Sequence, residues 1–353
     1  MNTVFARTSQ RRNRLIAAAG VAAVAIALSA CSTGASPATT SSADTPVKVV
    51  LGWYADPESG GMYAAEAEGY FKDSNLKVSI QQGGPTVSGT QIVAGGRADI
   101  GISDATSIAL AQQQGIPIVA IAAVYQTNPL GVMVHADSGV SSFADMSGHT
   151  FVVQTGQAGT AYLEKTKGLK FTTQTYSGSI ANFIANKDLV QQGWPTNEVY
   201  QAKQKGVNTK FFSYASAGFN PYNDVVFATK AFVKKNPNVV KKFLAASMKG
   251  WSAYMGDVKV ATTTNDVLKK VNTEQTSQSI WFAWDAQRKY VTAGDGAAQL
   301  GVMTMKRWTT VVSQLTDLGI LTKKVAPADL FDSTMLPKVA APASLPAAPA
   351  GSF

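Results

Sequence analysis

The alternation of strand-like and helix-like segments constrains the fold of this chain most. Between residues 47 and 125, apolar segments such as VKVVLGW, LKVSIQ, ADIGIS and IPIVAIAAVY alternate with helical segments such as GGMYAAEAEGYF and ATSIALAQQQG. The pattern resumes after residue 148 with HTFVVQ, AGTAYLEKTKG and KFTTQTY. Short strands separated by helices are typical of right-handed strand–helix–strand units in largely parallel sheets. The sequence therefore predicts an α/β fold.

The interruption and restart of this alternation predict two lobes connected by two chain crossings, near residues 131–137 and 219–227. We expect residues 47–135 to form the first part of lobe 1, residues 136–223 lobe 2, and residues 224–337 a mainly helical return to lobe 1. Two crossings form a hinge, and ligands bind where the carboxyl ends of strands face a cleft. The Pro/Ala-rich residues 338–353 predict a loose tail.

The first 30 residues have the features of an export signal. Four arginines precede the apolar residues 15–30, which are too few to span a bilayer. The segment ends in LSAC, and small residues before Cys31 resemble a bacterial lipobox, in which the cysteine is lipidated. The alternative is an ordinary signal peptide with a chance cysteine, and the export route, Sec or twin-arginine, stays open. Residues 31–46, rich in Ser, Thr, Ala and Pro, predict a flexible tether on the extracytoplasmic face of a bacterial membrane.

Composition excludes several kinds of site. Cys31 is the only cysteine, so its lipidation would leave no thiol for disulfides, zinc or cysteine catalysis. Two histidines cannot form a three-histidine zinc site, and the HExxH, GxSxG and GxxxxGK[ST] motifs do not occur. The formal charge is +9, or about +5 without the four signal arginines (9 − 4), and the lysines are scattered. We therefore expect no metal, no cofactor and no nucleic-acid partner, and a monomeric protein.

Two long segments carry a family resemblance. GWYADPESGGMYAAEAEGYFKDSNLKV and GTQIVAGGRADIGISDATSIALAQQQGIPIVAIAAV resemble the type II solute-binding proteins of bacterial ABC importers. The relevant group binds alkanesulfonates, taurine, nitrate, thiamine pyrimidine precursors and riboflavin. SGVSSFADMSGHTFVV is similar to the family's entry into the second lobe, and AFVKKNPNVVKKFLAASMKGWSAYM to its return helices. The resemblance covers residues 47–336.

The resemblance implies a type II periplasmic-binding-protein fold that closes on a small molecule. It also implies two protein partners, an ABC permease and its ATPase, to which the ligand is delivered. A lipid tether at Cys31 would keep the protein at high local concentration near that permease.

The first strand ends in a stretch suited to ligand contact. Trp53 and Tyr54 are candidates for stacking on a flat ligand. Glu58, in the turn that follows, is a candidate acceptor for a ligand N–H group, with a solvated loop acid as the alternative. Gly60 opens the next helix, where free backbone N–H groups and the positive dipole end favour an acceptor atom.

Later strand ends in the first lobe and at the crossings supply further candidates. Of Ser103 and Asp104, we expect one to cap the following helix and the other to bind the ligand. Tyr125 and Gln126 end the long apolar strand near the hinge. Tyr222 lies at the return crossing, where it is expected to close on the ligand.

In the second lobe, the segment TGQAGT joins a strand to a helix and matches the family's second helix-N-terminal ligand contact. The candidate residues here are Gln154, Thr155, Gly156, Gly159 and Thr160. The family's sulfonate binders are richer in hydroxyls at this place. Glu198, in WPTNEVY, is a candidate carboxylate for ligand N–H donors, with an acid of a helix first turn as the alternative.

These aromatic and acidic candidates favour a binding protein for an aromatic N-heterocycle, such as a thiamine pyrimidine precursor or riboflavin. The alternative ligand is an organic anion such as an alkanesulfonate, taurine or nitrate. A thiamine-pyrimidine synthase shares the fold, but that enzyme type needs a Cys-rich motif, so we expect no enzyme activity. A surface protein for sensing or adhesion is a third class.

Overall fold

The structure, a computed structural model, describes residues 44–84 and 86–353. The predicted export signal, the lipidation site Cys31 and all but the last three residues of the predicted tether lie outside the described residues. The described part contains ten strands: β1 Thr45–Val50, β2 Leu76–Gln81, β3 Ile100–Ser103, β4 Ile118–Tyr125, β5 Gly131–His135, β6 Thr150–Val153, β7 Thr172–Thr175, β8 Leu189–Gly193, β9 Thr209–Ser213 and β10 Asn223–Thr229.

Thirteen α-helices accompany these strands in the same residues. They are α1 Gly60–Ala67, α2 Tyr70–Asp73, α3 Gly89–Ala94, α4 Ala105–Gln113, α5 Ala158–Lys167, α6 Ala181–Ala185, α7 Glu198–Gln204, α8 Tyr214–Ala217, α9 Lys230–Lys235, α10 Pro237–Gly256, α11 Val258–Val271, α12 Ser277–Val291 and α13 Met305–Asp317. The last five helices form the mainly helical C-terminal part that the sequence predicts. None of the helices in the described part is long and apolar enough to cross a membrane.

The strands form two mixed five-stranded sheets with the same internal pattern. The first has the order β2-β1-β3-β10-β4, and the second β7-β6-β8-β5-β9. In each, three strands run parallel, and a fourth strand, β10 or β5, is antiparallel to both of its neighbours. The predicted α/β fold class with mixed, mostly parallel sheets and a helical C-terminal part is confirmed.

The chain crosses between the sheets twice, after β4 and after β9. Residues 131–135 were expected at the end of the first lobe, but they form β5, which pairs with β8 and β9 in the second sheet. The first crossing therefore lies before Gly131, since the ladder that satisfies the backbone of this strand belongs to the second sheet. The division into two lobes otherwise stays a prediction.

The core follows from the apolar strands and from close helix packing. All eight residues of β4 are buried, which explains its uninterrupted apolar sequence. On the other side of the core, α1 lies directly against α10. A Cβ at Gly250 would be 2.1 Å from the carbonyl oxygen of Gly61, and a Cβ at Gly61 would be 2.1 Å from the Trp251 ring. Glycine at these positions allows the two helix backbones to approach closely.

The C-terminal segment, residues 338–353, packs onto the protein. Arg288 Nη1 donates to the carbonyl of Pro346 at 2.5 Å, and the Leu300 amide donates to that of Val339 at 2.8 Å. The Phe353 ring meets Phe282 edge-to-face. The prediction of a loose tail is wrong, because an extended Pro/Ala chain can pack well when neighbouring helices satisfy its carbonyls.

Candidate functional site

A cavity of about 480 Å³ is lined by residues from both sheets and from both crossings. Its walls are the segments that follow the parallel strands: β1, β2 and β3 of the first sheet, and β6, β7 and β8 of the second. Ligand sites in open α/β sheets lie at these carboxyl ends, where backbone groups and loop side chains converge. The cavity is therefore the candidate ligand site.

The turn after β1 forms one wall. The carbonyl of Trp53 accepts a hydrogen bond of 2.8 Å from the amide of Gly83, which fixes the backbone of this aromatic residue. A Cβ at Gly83 would lie 2.2 Å from the Leu51 carbonyl oxygen, so this approach requires glycine. Asp56 caps the short 3₁₀ turn Pro57–Ser59 and accepts from the amide of Glu58 at 2.9 Å. Trp53, Asp56 and Glu58 all line the cavity.

The end of β3 and the start of α4 continue this wall. Asp104 accepts from the Thr106 and Ser107 amides at 2.8 and 3.0 Å, and from the Ser107 hydroxyl at 2.6 Å. Asp104 is thus the helix cap, and ligand contact by Ser103 stays a prediction. Both residues line the cavity.

The second sheet supplies the opposite wall. Gln154, Thr155 and Gly156 line the cavity just before α5, and Tyr176 and Trp194 follow β7 and β8. The amide of Gln154 donates to Gln192 Oε1 at 2.9 Å, which joins the β6 end to the β8 end.

Glu198 holds this second wall together. One carboxylate oxygen accepts from the Trp194 amide at 2.7 Å. The other accepts from the Tyr176 hydroxyl at 2.8 Å and from Asn197 Nδ2 at 3.2 Å. Glu198 is 5% exposed and lines the cavity. A single carboxylate therefore orients both aromatic residues of this wall.

The two crossings form the base of the cavity through Asn128, Asn223 and Asp224. Asn128 Oδ1 accepts from Asn223 Nδ2 at 3.3 Å, and the Asn128 amide donates to Asn220 Oδ1 at 2.8 Å. Arg307 of α13 stacks on the ring of Tyr222, 4.0 Å from its centroid. These contacts tie the two connecting segments to each other at one side of the cavity.

The structure brings eight of the predicted contact residues to the cavity wall. They are Trp53, Glu58, Ser103, Asp104, Gln154, Thr155, Gly156 and Glu198. Their role in binding stays a prediction.

Seven predicted contact residues are not on this wall: Tyr54, Gly60, Tyr125, Gln126, Gly159, Thr160 and Tyr222. The two glycines serve helix packing instead of backbone access for a ligand. A Cβ at Gly60 would lie 2.1 Å from the ring of Tyr254, and one at Gly159 would lie 2.3 Å from the ring of Tyr214. Of the other five residues, Tyr54 is exposed to solvent, and the remaining four make hydrogen bonds elsewhere in the protein.

The Tyr54 ring is 47% exposed and lies beside Trp53, edge-to-face at 5.5 Å. The remaining four residues are buried and hydrogen-bonded within the protein. The Tyr125 hydroxyl donates to Gln287 Oε1, the Gln126 amide to the carbonyls of Ala123 and Val302, and the Thr160 hydroxyl to the carbonyl of Gln157; the Tyr222 hydroxyl accepts from the Thr304 amide.

Sequence reasoning did not identify Asp56, Tyr176, Trp194, Asn128 and Asp224 as cavity residues. Tyr176 and Trp194 directly follow β7 and β8 of the second sheet. A rule based on strand ends would have found Tyr176 from KFTTQTY, and Trp194 if LVQQG had been recognised as β8. Asp224 lies near the start of an antiparallel strand, which reaches the same sheet edge from the opposite direction. Only the topology reveals that position.

Four acidic residues of the cavity have raised pKa values. Burial, followed by the charge of Glu198, raises the pKa of Asp56 to about 7, against the lowering effect of its backbone hydrogen bonds. Burial and the charges of Asp56, Asp224 and Glu198 raise the pKa of Glu58 well above its usual value. Burial raises the pKa values of Glu198 and Asp224 as well. In the described residues, no basic side chain forms an ion pair with any of them.

These shifts predict that the unliganded protein is more stable at pH 5 than at pH 8. A raised folded-state pKa contributes stability that is complete below the unfolded value of Asp56 and is lost as pH rises through about 7. We expect the melting temperature to fall by about 2 °C or more between pH 5 and pH 8, measured by calorimetry. Asp56→Asn, which keeps the cap, should flatten this slope.

The control is Asp145→Asn. Hydrogen bonds from Ser141 and Ser142 lower the pKa of the exposed Asp145 to about 2. The contribution of Asp145 to stability is therefore lost only at pH values more acidic than the pH 5 to pH 8 range of the measurement. Its removal should leave the slope between pH 5 and pH 8 unchanged. Equal slopes for wild type and Asp56→Asn would contradict the assignment.

Comparison with known proteins agrees with this architecture. The aliphatic sulphonate binding protein SsuA of Escherichia coli has a TM-score of 0.62 to this chain at 16% identity, covering 81% of this chain and 97% of SsuA. At that identity the likeness shows the shared periplasmic-binding-protein fold alone.

Two curated relatives match about three fifths of the chain. One is the formylaminopyrimidine-binding protein of Halalkalibacterium halodurans, 25% identical over 58% of this chain and 65% of the relative. The other is the 4-amino-5-hydroxymethyl-2-methylpyrimidine phosphate synthase of Legionella pneumophila, 22% identical over 60% of this chain and 69% of the relative. The family model described as NMT1/THI5 like matches residues 56–259, more than half of the chain and most of the cavity wall. This chain belongs to the NMT1/THI5-like family.

Proposed function

We propose that this chain is the extracytoplasmic solute-binding component of an ABC importer, held at the membrane by a lipid on Cys31. It captures a small organic molecule in the cavity and delivers it to a permease with its ATPase. The preferred ligand is an aromatic N-heterocycle, such as a thiamine pyrimidine precursor or riboflavin. The two sheets would form the two lobes, and the crossings at Asn128 and Asn223 the hinge.

The observation that carries the proposal is the lining of the cavity. Trp53, Tyr176 and Trp194 provide aromatic surface for a flat ring, and Glu58 and Glu198 provide acceptors for ring N–H or amino groups. The printed name of the H. halodurans relative, a formylaminopyrimidine-binding protein, supports a ligand of this class.

The alternative ligand is an organic anion such as an alkanesulfonate, taurine or nitrate. The segment before α5 supports it, because Thr155, Gly156 and Ala158 bring the start of a ten-residue helix to the cavity. The charge of the cavity opposes it. Five acidic side chains line the described wall, which contains no Lys, Arg or His.

The name of the L. pneumophila relative raises a second alternative, a pyrimidine phosphate synthase. We propose binding instead of catalysis, because that enzyme type needs a Cys-rich motif and Cys31 is the only cysteine of this chain. A carrier releases its ligand unchanged. The test is mass spectrometry of ligand recovered from the denatured complex after prolonged incubation. An unchanged mass supports a carrier, and a new mass supports an enzyme.

A thermal-shift panel tests the class of ligand. The panel contains pyrimidines, riboflavin, taurine and alkanesulfonates. A true ligand at about 100 times its Kd should stabilise the protein by about 2.7 kcal/mol. If only the sulfonates raise the melting temperature, the aromatic ligand is wrong.

Substitution of Trp53 by Ala should weaken binding of the panel's best ligand by about tenfold or more. The indole provides stacking worth about 0.5–1.5 kcal/mol in addition to its buried area. Isothermal titration calorimetry measures the change. The matched control is Tyr54→Ala, because this neighbouring ring is exposed and off the wall, and its loss should change the affinity less than about threefold. If Trp53→Ala binds the ligand with unchanged affinity, Trp53 does not stack on it.

A further inference from the structure

The cavity concentrates negative charge from segments of both sheets. Its acidic residues are Asp56, Glu58, Asp104, Glu198 and Asp224. In the described residues, the ion pairs are Lys230–Asp329 and Arg288–Asp285, and neither includes a cavity acid. A carboxylate with little solvent around it and no counter-charge is costly to ionise, so each of these partly or fully buried acids either holds a proton or needs compensation from another group.

Hydrogen bonds compensate these acids unequally. Asp104 accepts three and Glu198 accepts three. Glu58 accepts one, from the Thr196 hydroxyl at 3.3 Å. Asp224 Oδ2 is buried and has no hydrogen-bond partner among the described residues. The unused acceptor capacity therefore lies mainly at Glu58 and Asp224, which belong to the turn after β1 and to β10.

The arrangement of these acids does not suit a metal ion. No group of three or more His, Cys, Asp or Glu side chains in the described residues could hold one. The charge is instead spread over a cavity of about 480 Å³ whose wall includes Trp53, Tyr176 and Trp194. Aromatic faces attract cations electrostatically, so the two features favour the same kind of ligand. Both features favour a ligand that is larger than a metal ion and positively charged.

We propose that the ligand is an organic cation, whose protonated amine or amidinium group is held by Glu58 and Asp224. This inference rests on the proposed function, because it concerns the same cavity. It adds the charge of the ligand, since an aromatic N-heterocycle can be neutral or cationic. The cation supplies the missing donors and the missing counter-charge together.

Matched probes test the charge of the ligand. One pair shares the 4-amino-2-methylpyrimidine ring and carries either a 5-aminomethyl or a 5-hydroxymethyl group. A second pair is benzamidine and benzamide, and agmatine serves as a cation without an aromatic ring. We expect the charged member to bind about tenfold or more tightly than its neutral partner by calorimetry at pH 8.

Charge-neutralising variants locate the interaction. Glu58→Gln and Asp224→Asn should each weaken binding of the cationic probe by about tenfold and weaken binding of the neutral partner clearly less. The control is Glu164→Gln on an exposed position of α5, which changes the net charge equally and should change neither affinity. Melting temperatures of the variants confirm that each is folded.

The pH dependence gives a further readout. The titratable groups around Glu58 and Asp224 are Asp56, Asp104, Glu198, Tyr63, Tyr125, Tyr176 and Tyr254. Burial raises the pKa of every carboxylate in this group whose shift is resolved, and with a pKa of about 7 Asp56 takes up a proton between pH 8 and pH 5. Affinity for the cation should fall as pH is lowered in this range, and binding should release protons, counted by titration in buffers of different ionisation enthalpy.

The outcomes separate this inference from the proposed function. If the neutral member of each pair binds as tightly as the cation, the inference is wrong while the aromatic ligand stands. If agmatine binds and the aromatic probes do not, the cation stands and the aromatic ligand fails. If no cationic probe binds at about 1 mM, or if only sulfonates bind, the inference is overturned.

Discussion

Arg307→Ala is expected to destabilise the protein by about 3 kcal/mol or more. The guanidinium of Arg307 donates from Nε to the Asn220 carbonyl and from Nη2 to Asn220 Oδ1, both at 3.0 Å, and its Nη1 donates to the carbonyl of Gln126. One side chain thus bonds both crossings between the sheets. Hydrogen bonds to a charged donor are worth about 1.5–3 kcal/mol, and their loss leaves partly buried acceptors unpaired.

Chemical denaturation measures this effect, with Arg97→Ala as the control. Arg97 is exposed, so its removal should change the free energy of unfolding by less than about 0.5 kcal/mol. Arg307→Lys should be intermediate, because an ammonium keeps the charge but cannot reproduce the planar fork of donors. Equal stability of Arg307→Ala and Arg97→Ala would show that this residue does not hold the crossings.

Glu198→Ala is expected to reduce both stability and ligand affinity. It removes the acceptor for the Trp194 amide, the Tyr176 hydroxyl and Asn197. Unpaired buried donors cost about 1–3 kcal/mol each. The carboxylate is itself costly to bury, which offsets part of this loss, so we expect a net cost of about 2 kcal/mol.

The affinity should fall by about thirtyfold or more, because Trp194 and Tyr176 lose the group that orients them. Glu198→Gln is the matched variant, since it keeps the size and one acceptor oxygen. We expect it to keep stability within about 1 kcal/mol of wild type. If the Ala and Gln variants lose the same affinity, Glu198 contributes its charge and does not position the aromatic residues of the wall.

The segments that sequence analysis described correctly share a physical basis. Apolar runs such as β4 and capped helices such as α4 are determined by local periodicity and by a single nearby side chain, here Asp104. The predicted contact residues that line the cavity, such as Trp53 and Gln154, lie just after parallel strands. The carboxyl end of a parallel strand lies at the same sheet edge in every such fold, so sequence position alone predicts it.

The predicted contact residues that do not line the cavity show where this reasoning stops. Tyr125 lies at the end of a strand, in a position similar to that of Trp53. The Tyr125 hydroxyl nevertheless donates to Gln287, which is 162 residues away in the sequence. The ring of Tyr254 occupies the space beside Gly60, so that glycine allows packing and not ligand access. Each outcome depends on a distant residue that no local pattern reveals.

The sequence by itself determined the α/β class, the two-part alternation and the sheet edge at which a site would form, because these follow from local periodicity and strand direction. The tertiary structure alone decided which acids share the cavity. Asp56 and Glu58 share the turn after β1, whereas Glu198 and Asp224 come from two further segments, and their charge becomes a property of the site only when burial removes water from between them.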